Sequence, residues 1–176
     1  MGIKMEKYDF FKVCGTCQDE ECCKEPYYAF VASNEIKRIK KRIKKLKLKV
    51  IEAEDFYEFE EIPHKNRKFK FRTIKKIAGE CIFLENNRNC LIHDVKPFDC
   101  KIWPLTWDYL YEENKLVIYM GLCPLTDKMP NSWIESTIEK IQIELKTRTK
   151  EELIAYSLLD RDDTLEIIRE IENFLE

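Results

Sequence analysis

The residues best equipped for chemistry are eight cysteines in a chain of 176 residues. Four are grouped near the start, as Cys14-Gly15-Thr16-Cys17 and then the adjacent pair Cys22-Cys23. The others are Cys81, Cys90, Cys100 and Cys123. Filling a core does not call for a Cys-x-x-Cys followed by a Cys-Cys. Thiolates at such spacings can converge on a metal ion or an iron–sulfur cluster. Zinc takes four ligands in a tetrahedron, so eight cysteines would fill two zinc sites. Neighbouring side chains diverge, so Cys22 and Cys23 suit two ions, or two irons of one cluster. Zinc and a cluster both stay open, and the aromatic residues around the cysteines favour the cluster.

Glycine placement supports the same chemistry. The chain has four glycines. Three stand two residues before a cysteine, in Gly15-Thr16-Cys17, Gly79-Glu80-Cys81 and Gly121-Leu122-Cys123. Glycine there lets the backbone turn and aim N–H groups at a sulfur. Prolines bracket Cys100 in Lys96-Pro97-Phe98-Asp99-Cys100-Lys101-Ile102-Trp103-Pro104. Phe10, Phe11, Tyr27, Tyr28, Phe83, Phe98, Trp103 and Trp107 are placed to exclude water.

These runs together resemble the YkgJ-type cysteine-cluster family. The likeness lies in Cys14-x2-Cys17-x4-Cys22-Cys23, Gly79-Glu80-Cys81-Ile82-Phe83-Leu84, Cys90-Leu91-Ile92-His93 and Lys96-Pro97-x2-Cys100-x2-Trp103-Pro104. The resemblance covers roughly the first two-thirds of the chain. It implies a zinc- or iron-chelating domain with these cysteines as ligands. The flagellin lysine N-methylase carries a similar cluster, which implies an alternative as an enzyme or enzyme subunit. Lys96 stands where the family usually has arginine, and His93 where tyrosine is common. The lysine puts in doubt any role that needs a bidentate guanidinium.

Other chemistry has little support. Glycine is too scarce for a phosphate-binding loop. His93 follows Cys90 at ligand spacing but reads as a hairpin histidine. His64 falls in a basic, proline-containing loop and reads as solvated. The carboxylates of Glu52 to Glu61 and Asp160 to Asp163 read as surface charge and helix caps. No catalytic residue is assigned.

Composition sets the surroundings. Apolar residues make up 44% and charged residues 36%, which fits one domain with its own core. No apolar run reaches the roughly 20 residues that span a bilayer. The first residues have no apolar signal core, so the expected location is cytoplasmic. In a reducing cytosol, grouped thiols serve as metal ligands more often than as disulfides. The Lys-, Glu- and Ile-rich composition is compatible with a thermophilic source, and hyperthermophile proteins are the exception to that rule. Charge is uneven. Ile36 to Lys49 holds nine basic residues and no acid, so the remainder carries −11 against the chain's net −2. The acidic, aromatic stretch Glu52 to Glu61 is expected to approach this basic segment. The alternative is that the basic segment docks RNA or a protein partner, with zinc in a structural role.

The elements that would position the cysteines follow from periodicity. Pro26 to Ala32 reads as a short buried strand. Ser33 caps a basic helix to about Lys45, with Ile36, Ile39, Ile43 and Leu46 on one face. Phe69 to Ile77 alternates like a half-exposed strand. Cys81 to Glu85 and Cys90 to His93 form a hairpin around Asn86-Asn87. A turn of two or four residues puts Cys81 and Cys90 on one face, and a turn of three separates them. A second hairpin pairs Trp107 to Tyr111 with Leu116 to Met120. The last third is helical. Ser132-Trp133-Ile134-Glu135 and Thr149-Lys150-Glu151-Glu152 are capping boxes. A further helix begins between Asp163 and Glu166, with Leu165, Ile168, Ile171 and Leu175 on one face. The expected fold is a single α+β domain over residues 1–176. A cysteine-rich hairpin core and basic helix occupy 1–130, and a helical extension occupies 131–176.

Overall fold

The computed structural model describes residues 21–24, 27–46, 55–85, 89–123, 126, 129–159 and 165–176. The fold is mixed α+β, as expected. A 3₁₀ turn at Glu21–Cys23 precedes helix α1 (Ser33–Leu46). Strands β1 (Tyr57–His64) and β2 (Arg67–Ile74) form an antiparallel hairpin. Short strands β3 (Lys76–Ile77) and β4 (Glu80–Cys81) form a second one. Helix α2 (Phe98–Ile102) leads into β5 (Leu105–Leu110) and β6 (Lys115–Met120). Helices α3 (Asn131–Leu145) and α4 (Lys150–Ser157) follow, then β7 (Glu166–Ile171). The order β5-β6-β7 makes one antiparallel sheet.

Two apolar clusters hold these elements. The larger joins β5, β6, α3 and α4 with Phe30, Phe69 and Phe71. Trp107 stacks on Tyr156 at 4.3 Å within it. The smaller joins Ile39 and Ile43 of α1 to Val31, Phe56, Ile74, Phe83 and Ile92. Cys81 and Cys90 pack against this second cluster, so these thiols flank a core made of aliphatic and aromatic side chains.

Several expected elements are present. The stripe on α1 is real, with Ile39 and Ile43 buried and Ile36 and Leu46 half-buried. The hairpin across Glu112 to Lys115 forms, turning at Asn114 with φ 50°. The Thr149–Glu152 capping box is complete in both directions. Phe30 and its neighbours run alongside β2, Val31 N–H donating to Arg72 O and Ile74 N–H to Ala29 O. Among the described residues their only ladder pairing is a single bridge, Phe30 with Thr73, so the expected strand is a bridged extended segment.

Four expectations are corrected. The last helix is strand β7, because β6 presents a free edge that the segment completes. The ladder shifts register between Ile118 and Tyr119, which leaves Ile168 as the extra residue of a bulge. Ile168 and Ile171 therefore both face the core, at the spacing of a helix. Helix α3 starts after Pro130 with no side-chain cap, and Glu135 pairs with Arg169 at 2.9 Å instead of closing a box at Ser132. Part of the acidic stretch is strand β1, whose Glu61 pairs with Lys68 and Lys70 of the neighbouring strand. His64 ends that strand half-buried, with Nε2 3.3 Å from the Tyr111 hydroxyl, and so is not in a solvated loop.

Candidate metal centre

Cys81 is placed by a tight hairpin. Ile77 pairs with Glu80 and Lys76 with Cys81, leaving Ala78 and Gly79 as the turn. Both have positive φ, 51° and 81°, as a two-residue hairpin turn of matching twist requires. Gly79 thus serves the turn. The backbone hydrogen bond that lowers the pKa of the Cys81 thiol comes from Phe83, two residues beyond it. Gly121 has another job. Its N–H donates to Pro104 O at 2.7 Å, and a Cβ there would stand 2.8 Å from Cη2 of Trp103. Gly15 lies outside the described residues. The shared offset of the glycines therefore covers different local duties.

Cys90 comes back beside Cys81 by an unexpected route. Leu84 bridges Cys90, and Glu85 N–H donates to Asn89 O. Residues 86–88 lie outside the described set. Pairing Cys90 with Leu84, three residues beyond Cys81, would put the two thiols on opposite faces if the strand ran straight. It does not: Leu84 N–H folds back to Cys81 O at 2.9 Å, a turn through Ile82 and Phe83. That turn resets the alternation, and Cys81 and Cys90 remain close enough for the charge of Cys90 to raise the Cys81 thiol.

Cys23 arrives from the N-terminal side. A bridge pairs Lys24 with Glu80, the residue before Cys81. The Lys76 ammonium donates to Lys24 O at 2.8 Å and to Tyr27 O, and lies 5.4 Å from the Tyr28 ring. One lysine thereby ties Lys24, Tyr27 and Tyr28 to the Cys81 hairpin. Cys22 is exposed and Cys23 half-buried.

Cys100 sits on α2, which is anchored from two sides. Glu35 of α1 is only 2% exposed. Its carboxylate accepts from Phe98 N–H at 2.7 Å, Ala32 N–H at 3.0 Å and the Arg38 guanidinium at 3.1 Å. Arg38 also donates to Lys96 O at 3.2 Å. Asp99 accepts from Phe30 N–H at 3.2 Å and from the Tyr156 hydroxyl at 2.7 Å. Both acids thus fix the backbone around Cys100.

The electrostatics join four of these thiols. Burial pushes the Cys81 thiol up to about 12, and the charges of Cys23 and Cys90 add to the rise. Burial also lifts the Cys100 thiol well above its ordinary value, followed by Asp99, with Cys81 and Cys90 adding to it. Lys76 and Lys96 act the other way, on Cys81 and Cys100 respectively. Desolvation and mutual repulsion keep both groups protonated, whereas a bound cation would favour the thiolates.

Cys123 follows β6 half-buried, its carbonyl accepting from Thr126 N–H. Trp103 packs edge-on to Tyr27 at 5.3 Å and against Gly121, so one ring links the segments that lead to Cys23 and to Cys123. Cys14 and Cys17 lie outside the described residues. Among the described residues, no three His, Cys, Asp or Glu side chains stand in metal-ligand geometry. His93 is half-buried, with its backbone N–H bonded to Cys90 O.

Sequence reasoning missed Glu35, Lys76, Asp99 and Tyr156. Glu35 carries a signal: a lone acid opening a basic helix, three residues after Ala32, is the capping-box position. Lys76 and Asp99 look like ordinary surface charges until the backbone groups they bind are known. Comparison with protein-family models, curated proteins and solved structures finds no match.

Proposed function

We propose that the protein holds a metal through clustered cysteines, as a binding, electron-transfer or metal-handling module. An iron–sulfur cluster is favoured over zinc. The observation that carries this reading is that Cys23 and Cys90 both act on the buried Cys81 thiol, and Cys81 and Cys90 on the buried Cys100 thiol. Such a set fits either group, because both take thiolate sulfur. Four thiolates around a divalent ion leave a net charge of about −2, which Lys76 and Lys96 partly offset. Cys14, Cys17, Cys22 and Cys123 remain proposed ligands, and the motif likeness to the YkgJ-type family points the same way.

The test is anaerobic metal and acid-labile sulfide analysis of wild type beside Cys22→Ser and Cys81→Ser. Iron with equimolar sulfide and visible charge-transfer absorption supports a cluster. Colourless protein with stoichiometric zinc supports zinc and sinks the cluster. Wild type without bound metal overturns the whole reading. A second reading, a structural metal domain that docks a partner through α1, is favoured by exposed Lys37, Lys41, Lys44 and Lys45, with which no acid among the described residues pairs.

A further inference from the structure

Among the described residues, two of the acids expected to neutralise the basic helix are engaged elsewhere. Asp55 pairs with Lys75 at 2.8 Å, and Glu61 takes both Lys68 and Lys70. Lys70 and Lys68 hold the Glu61 carboxyl below the usual range. On α1 itself, Glu35 takes Arg38 and Asp94 takes Arg42. Among the described residues, no acid pairs with Lys37, Lys41, Lys44 or Lys45, and all four are exposed. Ser33, Lys37, Lys41 and Lys44/Lys45 recur at intervals of three and four, so they share one face of the helix.

That face continues onto an aromatic platform. The Ser33 hydroxyl accepts from Arg72 at 3.0 Å and donates to Glu152 at 3.2 Å. The Arg72 guanidinium lies 5.0 Å from the ring of Phe59, its cross-strand partner. Phe59 is 56% exposed, among the most exposed large apolar side chains described. One carboxylate, Glu152, stands at the junction. Beyond it run four cations, and before it lies an exposed ring.

We propose that this strip binds single-stranded nucleic acid, with the α1 lysines on phosphates and Phe59 with Arg72 stacking a base. Lys37 to Lys45 covers about 12 Å of helix axis. For a stacked strand that keeps the duplex rise of about 3.4 Å per phosphate, that is the span of three to four phosphates. Base stacking on an exposed ring requires an unpaired base, which selects single strands over duplex. A lysine-rich face is a poor protein interface, since lysine is depleted there. The strip's α1 portion also offers no apolar side chain for insertion into a lipid surface. The proposal rests on the docking reading of α1 and stands apart from the identity of the metal.

Fluorescence anisotropy with labelled single-stranded RNA, single-stranded DNA and duplex RNA of equal length tests it, across a salt series. Flotation with anionic vesicles runs in parallel. The expected slope of log affinity against log salt on single strands is about −3. The triple variant Lys37→Gln, Lys41→Gln, Lys44→Gln should lose about two units of that slope. Phe59→Ala should weaken binding about tenfold and leave the slope unchanged. Equal RNA and DNA affinity assigns recognition to phosphate and base, and tighter RNA binding adds the 2′-hydroxyl. Equal binding of duplex, an unchanged slope in the triple variant, unaltered affinity in Phe59→Ala, or vesicle binding alone overturns the proposal. Metal content and circular dichroism of the same variants should match wild type, which separates this failure from failure of the metal reading.

Discussion

Replacing Glu35, the one acid of α1, should damage the structure more than replacing any acid on β1. The carboxylate is buried, and its three partners differ in what they lose. Ala32 N–H and Phe98 N–H are backbone donors in buried or half-buried surroundings. Each costs about 1–3 kcal/mol when left without an acceptor. Arg38 is 42% exposed and can turn to water, so its loss counts for little. Glu35→Ala should therefore cost about 2–6 kcal/mol. Glu35→Gln keeps one acceptor oxygen and should cost about 1–2 kcal/mol. The assay is urea denaturation of the reduced protein, with Arg38→Ala and the double variant closing a cycle. Because Phe98 N–H opens the helix that carries Cys100, Glu35→Ala should also lower metal retention more than Glu35→Gln does. A Glu35→Ala cost below about 1 kcal/mol, or equal costs for the two variants, would refute the clamp.

Three further outcomes follow from the geometry. Gly121→Ala forces a Cβ to 2.8 Å from the Trp103 ring and should destabilise by about 1–3 kcal/mol, with an altered tryptophan emission. An unchanged unfolding midpoint would show that the ring has room to yield. Tyr156→Phe removes the hydroxyl that donates to Asp99 at 2.7 Å and should cost about 1–3 kcal/mol, while Thr106→Val at the longer 3.4 Å contact costs less. With Cys81 pushed up to about 12, its thiol is protonated at neutral pH, so loading zinc or cobalt must displace that proton. Affinity should therefore rise with pH through the neutral range, with proton release on binding seen by calorimetry in buffers of different ionisation enthalpy. Metal uptake without proton release would remove Cys81 from the ligand set.

The parts of the fold legible in the sequence are those where local signals and tertiary demands agree. Helix α1 has an isoleucine stripe, α4 has Thr149 and Glu152 at box spacing, and β5 and β6 have alternating apolar runs around a polar turn. Legibility fails where a neighbour decides. Glu166 to Ile171 has isoleucines at helical spacing because a bulge interrupts its alternation, and only the edge of β6 makes it a strand. The alternation in Tyr57-Glu58-Phe59-Glu60 is a strand signal hidden by the density of its acids. The Cys81–Cys90 relation depends on a turn at Ile82 and Phe83 that no turn-forming residue announces. The cysteines were visible from spacing alone. The groups that aim them were not, since Glu35, Lys76 and Asp99 act on backbone atoms distant in sequence.

The most direct measurement is metal content per chain in Cys23→Ser, Cys81→Ser, Cys90→Ser and Cys100→Ser, each purified anaerobically beside wild type and His93→Ala. Every one of the four serine variants should lose most of its metal, while His93→Ala should keep it. Full metal content and an unchanged spectrum in any of the four would contradict a centre built from these thiols.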